Sequence, residues 1–229
     1  MADLAARIEV EKLTAALGVT GDELMFLTAS SPDEIRSLTG AVRTAIAERN
    51  AGRVQRVAGL TGMVPTSIAS KVAQHAFGPR LSARVAAVIE PADAAKLAGH
   101  LPAPFLAQVA ARLDPERVEG LIRGLPDQLL VDVGRQILAD GEHAALGRLV
   151  AVVSTEVATR VVENATADEL LRVALYADDP AQLEAVIDEL SDERLQGVLT
   201  AAEQLDPDAR GLLESRVSPA TRDRLTERL

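Results

Sequence analysis

Apolar residues recur three and four positions apart along the chain, in short blocks separated by polar punctuation. Val118, Leu121, Ile122 and Leu125 form one block, Leu183, Val186, Ile187 and Leu190 another, and Leu195, Val198, Leu199 and Ala202 a third. That spacing predicts α-helices, each burying one stripe. β-Branched residues never alternate with polar ones for long, so strands are not expected. Prolines set the beat: Pro65, Pro79, Pro91, Pro102, Pro115, Pro126, Pro180, Pro207 and Pro219 each stand at the start of a block. Proline fits there because the first helical N–H needs no partner and φ is already near its helical value. In the later blocks Ser154, Thr166, Asp179, Ser191, Asp206 and Ser218 occupy the N-cap position, where a side-chain oxygen can accept from a free backbone N–H.

The beat is a repeat. Shifted by 24 residues, Leu97, Leu101 and Pro102 fall on Leu121, Leu125 and Pro126, while Phe105, Leu106, Val109 and Leu113 fall on Leu129, Leu130, Val133 and Ile137. Helices of about ten residues are unstable alone in water, so each must lay its stripe on its neighbours. The expected fold is all-α: an α-solenoid-like superhelix of short antiparallel helices, spaced about twelve residues apart and sharing one continuous core. The register loosens over residues 139–153, near Gly141, where a bend is expected.

Before the repeat the pattern differs. Ile8–Leu17 and Asp22–Leu27 read as two short helices separated by Gly18 and Gly21. Ser31, Pro32 and Glu34 combine a capping box with an N1 proline, opening a helix whose face runs through Ile35, Leu38, Val42 and Ile46. Asn50 and Gly52 are expected to end it near Arg49. Residues 1–52 therefore read as an N-terminal helical cap and 53–229 as the repeat array.

Composition narrows the functions available. With no cysteine, the chain has no disulfide, thiolate metal site or cysteine nucleophile. Asp3, Glu9 and Glu11 interrupt the beginning, and the longest apolar run, Leu149 to Val153, cannot span a bilayer, so a cytoplasmic protein without a membrane span is expected. Aromatics make up 2% of residues and the net charge is −10, which opposes nucleic-acid binding by stacking or by phosphate attraction. His75, His100 and His143 stand apart, and no nucleophile elbow or phosphate loop occurs. The expectation is a non-enzyme.

Three features remain as candidate sites. Residues 36–85 carry Arg36, Arg43, Arg49, Arg53, Arg56, Lys71, Arg80 and Arg84 against the single acid Glu48, while residues 178–208 set ten acids against Arg194 alone. Such polarity suits a charged protein partner on the arginine surface, or a homo-oligomer held by opposite patches. Met25, Phe26, Met63, Phe77 and Phe105 concentrate bulky, adaptable side chains in the first half of an Ala- and Leu-rich chain, a set that could line an apolar pocket for a small molecule. Asp188, Glu189, Asp192 and Glu193 straddle a helix junction where oxygen ligands could hold Mg²⁺ weakly; no other cofactor is expected.

The Leu-Pro and Leu-Asp-Pro steps at Leu101-Pro102, Leu113-Asp114-Pro115, Leu125-Pro126 and Leu205-Asp206-Pro207, with the acidic caps around Ser191 to Glu193, carry a resemblance over about residues 90–229. They are similar to the intracellular N-terminal domain of MgtE-type magnesium transporters, and to the armadillo-like parts of the flagellar switch protein FliG. Residues 1–89 have no counterpart in it. The resemblance implies a superhelix of short helices with a regulatory role, and it is the source of the Mg²⁺ expectation. Two functions follow: a cytosolic interaction or regulatory module binding a protein on its curved face, or a small-molecule binder with an apolar pocket in the N-terminal half.

Overall fold

The computed structural model describes residues 3–19, 21–61, 65–206 and 208–226. Within them it is all-α, with fifteen α-helices and no strand. The first two are α1 (Leu4–Leu17) and α2 (Pro32–Thr61), with a 3₁₀ segment, Gly21–Ala29, between them. The stack follows as α3 (Thr66–Val72), α4 (Gly78–Ala86), α5 (Pro91–Ala98), α6 (Ala103–Ala110), α7 (Pro115–Ile122), α8 (Asp127–Ala139) and α9 (His143–Leu149). It continues as α10 (Thr155–Val162), α11 (Ala167–Tyr176), α12 (Pro180–Asp188), α13 (Asp192–Leu205), α14 (Ala209–Ser215) and α15 (Pro219–Thr226). No helix among the described residues is long and apolar enough to cross a membrane.

The local signals act as expected. Ser154, Thr166, Asp179 and Ser191 each accept from a backbone N–H of the helix they open, and Ser31/Glu34 and Thr166/Glu169 form complete capping boxes. At the other end the chain tightens: the amides of Leu101, Leu113, Leu125 and Leu190 each donate three residues back, to Ala98, Ala110, Ile122 and Ile187. This last turn swings the leucine back onto the core, and after three of the four the Pro or Asp-Pro step that follows starts the next helix.

Packing skips one helix at a time. The even-numbered α2, α4, α6, α8, α10 and α12 touch in sequence, and so do the odd-numbered α3, α5 and α7; the 3₁₀ turn Val150–Val152 then links α7 with α9, which passes the row on to α11 and α13. Two rows of helices face each other across one core that runs from Leu4 and Ala83 to Val217. Near the expected bend, Gly141 (φ 74°) replaces the usual proline step, yet the core continues through Leu146, Leu149 and Val150.

One element boundary is corrected. The helix expected to close near Arg49 runs on through Asn50 and Gly52 to Thr61, so residue 52 lies inside α2. Gly52 keeps a helical backbone; among described residues only Gly18, Gly78 and Gly141 take positive φ. A mid-helix glycine costs about 1 kcal/mol, which the packing of α2 on α1 and α4 overrides. The cap has its own small core of Ala6, Val10, Leu13 and Ile35, while Leu4 and Ile8 on another side of α1 join the main one.

Candidate functional site

Between the two rows lies a cavity of about 170 Å³. It is bounded by α3 to α10, and its walls are aliphatic apart from Phe77 and the hydroxyl of Ser82. The sequence explains why space remains. Ala69, Ala73, Ala94, Ala98 and Ala110 occupy inward positions here. Farther along the stack a second space of about 60 Å³ is lined by Leu170, Leu183, Leu195, Leu199 and Leu213 among others. Val150, Ala158 and Val162 border both spaces and stand between them.

At the α3–α4 end the helix widens into a π turn, Ala73–Phe77, closed by Gly78 with φ 69°. A glycine suits that left-handed φ because it has no Cβ to clash, and π turns concentrate at functional sites. The turn places Ala73 and Phe77 on the cavity wall beside Ala69. The Ser82 hydroxyl donates to the Ala73 carbonyl at 3.4 Å, so the one polar side chain of the wall is already engaged.

The five bulky residues do not converge. Phe77 lines the cavity, whereas Phe105 is buried in α6 but off its wall. Met25 and Phe26 face outward, Phe26 with 71% of its surface exposed. Their placement follows from 3₁₀ geometry: with three residues per turn, Leu24 and Leu27 point together into the small core and Met25 and Phe26 point away. Met63 lies outside the described residues.

The arginines divide. Arg36 bridges the Glu9 carboxylate at 3.0 Å and that of Asp33 at 2.7 Å. Arg43 approaches Asp114 at 3.9 Å. Arg49, Arg80 and Arg84 are exposed, while the side chains of Arg53 and Arg56 lie outside the described residues. At the acidic junction Asp188, Glu189, Asp192 and Glu193 are all exposed, and no group of three ligating side chains converges among the described residues. Asp192 and Glu193 sit in the first turn of α13, where negative charge favours the helix dipole. His100 caps its own helix, Nδ1 lying 2.9 Å from the Lys96 carbonyl oxygen.

A buried polar cluster was not foreseen from the sequence. Glu9 and Lys12 on α1 are 1% and 4% exposed. The Lys12 ammonium donates to Glu9 at 3.1 Å and to Asp178, beyond α11, at 2.5 Å. Tyr176 donates to Glu11, and Arg7 pairs with Asp206 at 3.5 Å, so α1 fastens the start of the chain to its last third. Arg216 donates to the carbonyls of Leu175 at 2.8 Å and Ala177 at 2.9 Å, closing the end of α11. Burial, then the neighbouring Arg43, pushes the Arg148 guanidinium down to about 10, against the pull of Asp178, Asp114 and Glu142. In sequence, Glu9 and Lys12 look like an ordinary surface pair three apart; only the docking of α1 buries them.

Compared with protein-family models, curated proteins and solved structures, the chain matches none.

Proposed function

We propose that this chain is a non-catalytic helical scaffold that carries an apolar small molecule in the cavity between its two rows. The supporting observation is the cavity of about 170 Å³ walled by aliphatic side chains. Empty apolar volume costs about 24 cal/mol per Å³, so a void of this size forgoes roughly 4 kcal/mol, a large share of a domain's net stability of about 5–15 kcal/mol. An apolar cavity of about 150 Å³ stays dry and accepts apolar guests. Native mass spectrometry of protein purified without detergent tests the reading, together with a thermal-shift series of alkanes and alkyl alcohols. A retained adduct or a rise in Tm is expected; no adduct and no shift across the series would sink it.

For the architecture we adopt the short-helix superhelix of the MgtE-type N-terminal domain over residues 90–229, a reading favoured by the packing of next-but-one helices. A protein partner is the second reading. It is favoured by Leu17, Val19, Met25, Phe26 and Leu38, which leave large apolar surfaces exposed on the N-terminal cap. Affinity capture from the native cell with wild type and Phe26→Ser tests it: a partner lost on substitution supports this reading, and identical captures refute it.

A further inference from the structure

The outer face of the even-numbered row is cationic where α4 and α6 touch. Ser82, Val85 and Ala86 of α4 and Leu106, Val109 and Ala110 of α6 turn inward to the cavity. At 3.6 residues per turn, Arg80 and Arg84 then project from the opposite side of α4, and Gln108 from the opposite side of α6. Arg112 folds back onto the Gln108 carbonyl oxygen, so its charge joins the same outer face. The Arg80 guanidinium reaches the joint between α1 and the 3₁₀ segment, 3.7 Å from where a Gly18 Cβ would stand. Leu17 and Val19, on either side of that glycine, are exposed and edge the face with apolar surface. Arg36 and Arg43, from the same basic stretch of sequence, are already bound to carboxylates of their own chain. Arg80, Arg84 and Arg112 are exposed and have no carboxylate within ion-pair distance among the described residues.

The complementary surface belongs to the same chain. Asp188, Glu189, Asp192 and Glu193 crowd the turn from α12 to α13, and all four are exposed. Within one molecule the two sets are held apart, because α6, α8 and α10 separate α4 from α12 along the row. We propose that copies of this chain associate head to tail, the acidic α12–α13 turn of one copy seated on the Arg80, Arg84 and Arg112 face of the next. Guanidinium groups suit the contact, since their planar fork pairs with carboxylates through two parallel hydrogen bonds. Leu17 and Val19 add apolar area beside the charges. Screening within about 10 Å lets these local patches, rather than the net charge of −10, decide the approach. The contact is heterologous, so each added copy presents a fresh face and a fresh turn, and growth continues until a ring closes. Nothing in it depends on the occupant of the cavity.

Sedimentation velocity of the full chain over a wide concentration range tests the association. At low ionic strength the average mass should rise with concentration above that of the monomer, and at about 0.5 M salt it should return to the monomer value. Two charge reversals locate the contact: Arg80→Glu/Arg84→Glu/Arg112→Glu on the face, and Glu189→Lys/Glu193→Lys on the turn. Both alter only exposed side chains, so thermal melts close to that of wild type are expected. Each variant alone should stay monomeric. An equal mixture of the two should associate again, because each reversed surface then meets its opposite on the other variant, although both proteins remain net negative. A wild type that is monomeric throughout, a reversal variant that still assembles, or a mixture that stays monomeric each overturns the proposal. Monomeric wild type that co-sediments with phosphatidylglycerol vesicles would overturn it too, and would assign the arginine face to a lipid surface.

Discussion

Single residues tie distant parts of the chain together through charge. Lys12 is held between Asp178 and the buried Glu9, which Arg36 also contacts. Removing one member of a buried ion pair leaves an uncompensated charge and typically costs about 3–5 kcal/mol, whereas replacing the pair with apolar residues is often neutral. Lys12→Met leaves the buried Glu9 with Arg36 as its one ion-pair partner among the described residues and should lower stability by about 3 kcal/mol in urea unfolding, and Glu9→Leu/Lys12→Met, which strands only the exposed Arg36 and Asp178, should recover most of the loss. A double variant no better than the single one would contradict that account. Acid sensitivity has a separate origin. Hydrogen bonds from Ser218 and Thr221 hold the Glu184 carboxyl below its usual value near 4.5, and Ser31 and Thr166 do the same for Glu34 and Glu169. A carboxylate with a depressed folded pKa stabilises fully above the unfolded value, and its contribution is lost as pH falls through the folded one. Glu11 acts in the opposite sense, because burial raises its pKa and its ionisation opposes folding as pH rises. The unfolding midpoint should therefore fall as pH drops below about 4.5, and the fall should be shallower in Glu184→Gln.

Between elements, the closest approaches run through glycine. A Cβ on Gly147 would lie 2.5 Å from the Val173 carbonyl oxygen and 2.8 Å from the Tyr176 Cβ, so α9 meets the backbone of α11 directly. A Cβ on Gly134 would meet the Val161 side chain at 2.6 Å, between α8 and α10. Overpacking costs about 1–3 kcal/mol, depending on how far the neighbours can yield. A side chain can shift and a helical carbonyl cannot, so Gly147→Ala should destabilise more than Gly134→Ala. Denaturant titration of the two variants checks the order, and the reverse order would show that the α9–α11 contact is softer than its geometry implies. Cap residues are the other local determinant. Thr166→Ala removes one side of a complete capping box and should cost about 1 kcal/mol.

Across the whole molecule, the two rows combine a continuous core with a void where alanines face one another. Ala98 lines that void and is 8% exposed. Ala98→Leu should fill part of it, raising the stability of the ligand-free protein by about 1 kcal/mol while reducing the Tm increase produced by an alkyl guest. Calorimetry with and without dodecanol reads both effects. A variant that is destabilised with unchanged guest binding would place the guest elsewhere. Closure of the chain belongs to the same scale: α1 contacts α14, and its cations meet Asp178 and Asp206. Part of the acidic stretch is thus neutralised within the molecule.

Features legible in the sequence were those whose physics is local. Helix starts at Ser154, Thr166, Asp179 and Ser191 needed only a side-chain oxygen two or three residues from a free N–H, and the stripe Leu195, Val198, Leu199 and Ala202 needed only helical periodicity. The all-helical class and the alternation of short helices followed from those two rules. The candidate site was legible only in part: Phe77 was among the expected residues, but the alanines that open the cavity are featureless in sequence, because empty space depends on what faces them across the rows. Likewise α2 passes Asn50 and Gly52 because neighbouring helices hold it, and Phe26 turns outward because Leu24 and Leu27 take the inner face. Lys12 meets a carboxylate 166 positions away. Short-range hydrogen bonding and periodicity are written residue by residue; burial, voids and long-range ion pairs exist only once the rows have closed.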